Sequence, residues 1–272
     1  MKESSCQFGQ FRQLAGILTE STAPHRRVAL VLVSAGLTPK SGPFRLYTEL
    51  ARRLARDGVV TLRFDLGGIG DSQHEHRSDP LKTRTKLEIQ AALDFLTERF
   101  ELDHIALGGL CSGAEDSFRT AEVDTRVTRV VMIDPFGYKT WGWKWRNVLY
   151  RLTRRGLRAL GIHRPYLRAA VGPIGAETRT KASITYKYMD HAESSRILRS
   201  VMKRNVRVHF VYTGGAREVF NHSGQLKAMF RDIDFQSLVT VNYLPHVEHT
   251  QLLEEDRNAV IETVAHRLVS PF

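Results

Sequence analysis

Five residues, Gly109-Leu110-Cys111-Ser112-Gly113, have the types and spacing of a nucleophile held at a bend. An apolar run, His104-Ile-Ala-Leu-Gly108, leads into them, and a helix-compatible stretch, Ala114 to Ala121, follows. A strand that turns directly into a helix strains its junction residue and projects that side chain outward. Glycines two positions before and after are needed because larger side chains would collide in so tight a bend. Such elbows usually carry serine, but Ser112 has Leu110 and Ala114 at its own flanking positions, so the apex is Cys111. A thiol at a helix N-terminus sits where the macrodipole favours the thiolate, which is the nucleophilic form. Cys111 is the predicted nucleophile.

A nucleophile of this kind needs a base, an orienting acid and oxyanion donors. Chains built around such an elbow carry them in the order nucleophile, acid, histidine. The segment Leu244-Pro-His-Val-Glu-His-Thr250 follows the last strand-like run and offers His246 and His249. His249 is preferred, because the loop must leave the strand before swinging back over the elbow. For the acid, Thr213-Gly-Gly-Ala-Arg-Glu218 is the turn after the preceding strand, and Glu218 is its carboxylate. Asp134, at the end of the strand after the elbow, is the alternative. The predicted oxyanion donors are the backbone N–H groups of Ser112 and Leu37, with Gly36 letting the chain approach closely.

These residues require a framework of strands. Arg27 to Val33, Val59 to Asp65, Val127 to Ile133, Val206 to Tyr212 and Leu238 to Tyr243 read as strands, with a weaker edge pair between Gln7 and Leu18. Between them, Pro43 to Asp57 and Leu81 to Phe100 read as helices, the latter with an apolar stripe of Leu87, Ile89, Ala92, Leu93 and Leu96; a last helix covers Glu254 to Val269. The alternation predicts an α/β fold, a mostly parallel sheet covered by helices on both faces. It breaks once. Residues 1–136 and 205–272 form the expected core, and 137–204 a helical cap inserted over the strand ends.

Net charge is +11 over 272 residues, and it is localised. The window from Lys139 to Lys187 holds twelve basic residues against the single acid Glu177, while the rest of the chain has 28 of each sign. All three tryptophans, Trp141, Trp143 and Trp145, lie in the same window. Trp141 and Trp143 are expected, with Gly36, to contact substrate. No nucleic-acid recognition motif accompanies the charge, no Cys/His cluster has metal-ligand spacing, and the turn Gly67-Gly68-Ile69-Gly70 lacks a dinucleotide fingerprint. Neither a cofactor nor a metal is expected. Two cysteines, no apolar span and no signal-like N-terminus make a cytoplasmic protein the expectation, with peripheral contact at the inner membrane face.

With these pieces together, the chain resembles the α/β-hydrolases of the serine-aminopeptidase-like group, and is most similar to those found with bacterial exosortase and exopolysaccharide systems. The resemblance rests on Ala35-Gly36, Gly42-Pro-Phe-Arg-Leu-Tyr47, Leu62-Arg-Phe-Asp-Leu-Gly-Gly-Ile-Gly-Asp-Ser72, the elbow, Ile133-Asp-Pro135 and His249-Thr250. It departs where that group often places an aspartate after the glycine pair: here the residues are Gly215-Ala-Arg-Glu218. The resemblance implies acyl hydrolase or acyl transferase chemistry.

A thiol narrows that chemistry. Its covalent intermediate is a thioester, nearly balanced in free energy when formed from a thioester and uphill from an amide. The expectation is therefore a thioesterase or esterase working through an S-acyl enzyme, or an acyltransferase with the same residues. A catalytically weak scaffold docking to a membrane or exopolysaccharide complex is the non-enzymatic alternative. The basic cap would attract an anionic acyl carrier: coenzyme A, an acyl carrier protein or lipid. Its segment Trp141 to Leu160 places Val148, Leu149, Leu152, Leu157 and Leu160 among arginines. Either the apolar side packs inward as a lid with solvated arginines, or the helix lies on a membrane surface.

Overall fold

The structure, a computed structural model, describes residues 1–22, 26–73, 79–159 and 188–270, apart from the side chains of 154–159. Among the described residues eight strands form one sheet: β1 (Lys2–Phe8), β2 (Leu14–Glu20), β3 (Val28–Val33), β4 (Val60–Phe64), β5 (His104–Leu110), β6 (Val127–Ile133), β7 (Arg207–Thr213) and β8 (Val239–Leu244). Their spatial order is β1-β2-β4-β3-β5-β6-β7-β8. β1 and β2 pair antiparallel, β2 joins β4 antiparallel, and every later pairing is parallel. The weak edge pair of the sequence is thus two full strands of seven residues. Parallel pairing carries the ends of β3 to β8 to one rim, and helices supply the crossovers.

Those helices are α1 (Leu46–Arg56), α2 (Leu81–Thr97), α3 (Ser112–Val123), α4 (Trp141–Ala159), α5 (His191–Lys203), α6 (Gln225–Met229) and α7 (Glu254–Val269). The side-chain period of two along a strand divides the core between the two faces. In β3, Ala29, Val31 and Val33 pack with Ile89 and Leu93 of α2, Phe118 of α3 and Leu198 of α5. Val28, Leu30 and Leu32 pack with Leu46 and Leu50 of α1 and Val260 and Ile261 of α7. A strand buried on both faces needs an unbroken aliphatic run, which is what Val28 to Val33 provides.

Two expectations change here. Leu87 of α2 faces solvent, and Glu88 turns inward, its carboxylate accepting from the Gly67 N–H at 2.9 Å. The other four stripe residues, Ile89, Ala92, Leu93 and Leu96, are buried, and Glu88 beside them serves the glycine turn after β4. Second, α5 falls within the segment read as a cap, yet it packs on the sheet and buries Ile197, Leu198 and Val201. The C-terminal part of 137–204 is therefore core. Residues 160–187 lie outside the described residues, as do the expectations for Leu160 and the basic residues from Arg164 to Lys187.

Candidate active site

The elbow joins β5 to α3. Cys111 has φ +52° and ψ −118°, a backbone region that costs a non-glycine residue about 1–3 kcal/mol. Its neighbours impose it. A Cβ on Gly109 would come within 2.6 Å of the Gly113 carbonyl carbon, and one on Gly113 within 2.4 Å of the Val33 carbonyl oxygen. The Cys111 N–H donates to the Ile133 carbonyl at 2.8 Å, which ties the elbow to the end of β6. From the other side, the Leu110 N–H donates to the buried Tyr47 hydroxyl at 2.7 Å, and that hydroxyl donates to the Val33 carbonyl at 3.1 Å. The strain at Cys111 is thus held by hydrogen bonds from three elements.

The next strand along supplies an acid. Asp134 directly follows β6 with φ +43° and is buried. Its Oδ1 accepts the Thr213 N–H at 2.6 Å, and its Oδ2 accepts the Thr213 hydroxyl at 2.6 Å and His249 Nδ1 at 2.8 Å. His249 sits on the loop after β8. Burial alone would lower its pKa, but hydrogen bonds to Asp134 and Cys111, together with their charges, outweigh that and push it up to about 10. The imidazole thus meets a fixed carboxylate at Nδ1, and the thiol adds to the same upward shift.

The acid is a correction to the sequence reading. Glu218 is exposed at the end of a 3-10 turn, Gly214–Glu218, and it is Asp134 that binds His249. The reason is packing. A Cβ on Gly214 would lie 2.2 Å from the Pro245 carbonyl oxygen, and one on Gly215 would lie 2.3 Å from the His249 nitrogen. The Gly215 N–H donates to the Val247 carbonyl at 3.3 Å. The histidine loop lies directly on the glycine pair, so a side chain has no room there. His246, the alternative base, lies exposed on the same loop.

The loop after β3 closes the third side. Gly36, at φ +53°, donates its N–H to Ser112 Oγ at 2.8 Å, which docks this loop on the start of α3. The Leu37 side chain is largely solvent-exposed at the rim. Behind the loop, the buried Asp65 carboxylate accepts the Lys40 N–H at 2.5 Å, Lys40 Nζ at 2.6 Å and the Asp71 N–H at 3.0 Å. A Cβ on Gly70 would lie 2.3 Å from that carboxylate, so the glycine turn exists to let Asp65 be bridged.

Tyr188 joins the site from the segment before α5. Its hydroxyl lies 3.7 Å from Cys111 Sγ, and the adjacent Met189 N–H donates to the buried Glu115 carboxylate at 2.8 Å. The charge of Cys111, then burial, pushes the Tyr188 pKa upward, so the phenol keeps its proton and can donate to sulfur. No spacing in the sequence marks a tyrosine at the end of an insertion as a neighbour of the elbow.

The expected substrate contacts divide. Trp143 is buried, its indole N–H donating to the Arg217 carbonyl at 3.1 Å and its own carbonyl accepting Asn221 Nδ2 at 3.1 Å. It anchors α4 to the domain. Trp141 is exposed beneath Lys144, whose Nζ lies 5.0 Å from its ring. Among the described residues, no group of three His, Cys, Asp or Glu side chains could hold a metal ion.

No protein-family model matches this chain, and no curated relative matches its sequence. Solved structures do match. The chain is similar to the α/β hydrolase GrgF from Penicillium sp. sh18, with TM-score 0.61, 18% identity and 99% of both chains covered. It is similar to an esterase from Pyrococcus furiosus, with TM-score 0.61, 12% identity, and 99% of this chain and 91% of the other covered. An α/β serine hydrolase without lid from Xanthomonas campestris gives TM-score 0.59 at 12% identity, covering 99% and 94%. With the strand order above, these matches establish that the chain has the α/β-hydrolase fold.

Proposed function

We propose that the protein is an acyl hydrolase acting on esters or thioesters through an S-acyl intermediate on Cys111. The observation that carries this reading is the placement of His249 between the buried Asp134 carboxylate and the Cys111 thiol. With its pKa raised to about 10, His249 already holds the proton at neutral pH, and the Cys111 sulfur attacks the substrate carbonyl as the thiolate. The Ser112 and Leu37 N–H groups are the proposed donors to the oxyanion, a class of interaction worth roughly 10²–10³ in rate per donor. Attack forms the Cys111 S–C bond; collapse of the oxyanion then breaks the bond to the leaving alcohol or thiol, which takes the proton from His249. Water, deprotonated by His249, then cleaves the thioester and regenerates the thiol.

Asp134 holds the Nδ1–H and leaves Nε2 for this exchange, the orienting role of a triad acid. Tyr188 steadies the sulfur from the cap side. The named esterases and serine hydrolases among the structural neighbours favour acyl chemistry, and the sulfur favours thioesters over amides. The test is turnover of a panel of aryl esters and acyl thioesters. Wild-type turnover lost in both Cys111→Ala and His249→Ala supports the reading; turnover that survives Cys111→Ala refutes it.

A further inference from the structure

Helix α4 packs the wrong way round for a lid. Its inward side carries Trp143, bonded to Arg217, and Tyr150, whose ring stacks 3.3 Å from the Arg217 guanidinium. Its outward side carries Trp141, Trp145, Val148, Leu149 and Leu152, all exposed, with Trp141 and Trp145 at 78% and 77%. At 3.6 residues per turn those five positions fall within about 100° of arc, a single continuous apolar stripe. Lys144 and Arg151 border the stripe along one side and Arg146 lies beyond the other, all exposed. Helix α4 contains no acidic residue, and the window that begins at Lys139 holds the whole net charge of the chain.

A water-facing helix has no reason to place two tryptophans and three aliphatics outward, because each would be better hydrated as a polar residue. A partner with an apolar interior and a negative surface satisfies both features. We infer that the outward face of α4 docks on an anionic lipid bilayer, with the tryptophans and Leu149 entering the headgroup boundary and the lysine and arginines on its phosphates. None of the described helices is long and apolar enough to cross a membrane, so α4 lies on the surface. Each basic side chain near such a surface contributes roughly five-fold to partitioning, while aqueous charge is screened beyond ~8–10 Å. Binding therefore needs the apolar stripe and the charge together. The inference is independent of the thiol chemistry, since no residue of the stripe belongs to the Cys111 site.

All three tryptophans of the chain lie in α4, two of them, Trp141 and Trp145, on this face, so a change in intrinsic fluorescence reports it. The experiment titrates the full chain with vesicles containing phosphatidylglycerol and, separately, with pure phosphatidylcholine vesicles, reading emission wavelength and co-sedimentation. The expected result is a blue shift and co-sedimentation with the anionic vesicles, at least ten-fold weaker with phosphatidylcholine. Trp145→Glu with Leu149→Glu should reduce co-sedimentation at least ten-fold, and Lys144→Gln with Arg151→Gln should reduce it about 25-fold. These positions are exposed, so the variants should keep the wild-type melting temperature. Cys111→Ala should bind as wild type does, which separates failure of this inference from failure of the enzymatic reading. No blue shift with anionic vesicles overturns the inference, as does equal binding by the Trp145→Glu, Leu149→Glu variant. A lipid-free dimer dissolved by that variant would assign the face to a second copy and overturn it too.

Discussion

The turns after β6 and β7 lie side by side on the sheet rim, and either could have held the acid. The first ends in Asp134, buried, bonded through both oxygens to Thr213 and through Oδ2 to His249. The second is Gly214-Gly215, overlain by the histidine loop, with its carboxylate, Glu218, in solvent. The difference shows that proximity along the chain does not select the acid. What selects it is which turn the returning loop rests upon: the turn in contact must be glycine, and the carboxylate must come from the neighbour.

Neutralising each carboxylate in turn separates the two turns most strongly. Asp134→Asn should lower kcat/KM on an acyl thioester by about 10²–10⁴, since the amide can present the wrong partner to Nδ1. Glu218→Gln should change it by less than about two-fold. The reverse ranking would restore Glu218 as the acid.

A second substitution tests the glycine turn. A Cβ on Gly215 meets the His249 backbone at 2.3 Å, so Gly215→Ala should displace that loop and cost on the order of 10² in kcat. Unaltered kinetics would mean that the loop does not depend on the contact. Thr213→Val removes the hydroxyl donor to Asp134 but leaves the backbone donor. It should destabilise the fold by about 1–2 kcal/mol in denaturant unfolding and reduce kcat about ten-fold or less.

Stability should also depend on pH. The pKa of folded His249 lies near 10, against an ordinary value of 6.5. Below 6.5 the ring is protonated in folded and unfolded chains alike, so its interaction with Asp134 contributes fully to stability. As pH rises the unfolded chain loses that proton first, and the contribution fades until it is gone above about 10. The stability difference between wild type and His249→Gln should therefore shrink as pH is raised through this range. A difference that is constant or grows with pH would contradict the assigned pairing.

The sequence was most legible where local sterics leave one solution. Gly109 and Gly113 flag the elbow because no other residue fits against Gly113 and Val33, and the aliphatic run of β3 reads as a strand buried on both faces. It was least legible where two distant segments meet. Nothing near Glu218 reveals that the loop from Pro245 to His249 fills the space above Gly215, and nothing near Tyr188 reveals its approach to Cys111. Periodicity located the apolar residues of α4 but not their direction. That was decided by Trp143 and Tyr150, which the main domain takes through the Arg217 carbonyl and guanidinium.

Turnover by this route requires a covalent acyl bond on Cys111, and intact-protein mass spectrometry reads that bond directly. After brief mixing with an acyl thioester and an acid quench, the wild-type chain should gain one acyl mass, located by peptide mapping to Cys111 and absent in Cys111→Ala. A wild-type chain that gains no acyl mass and turns over no ester or thioester, or an adduct that persists in Cys111→Ala, would contradict it.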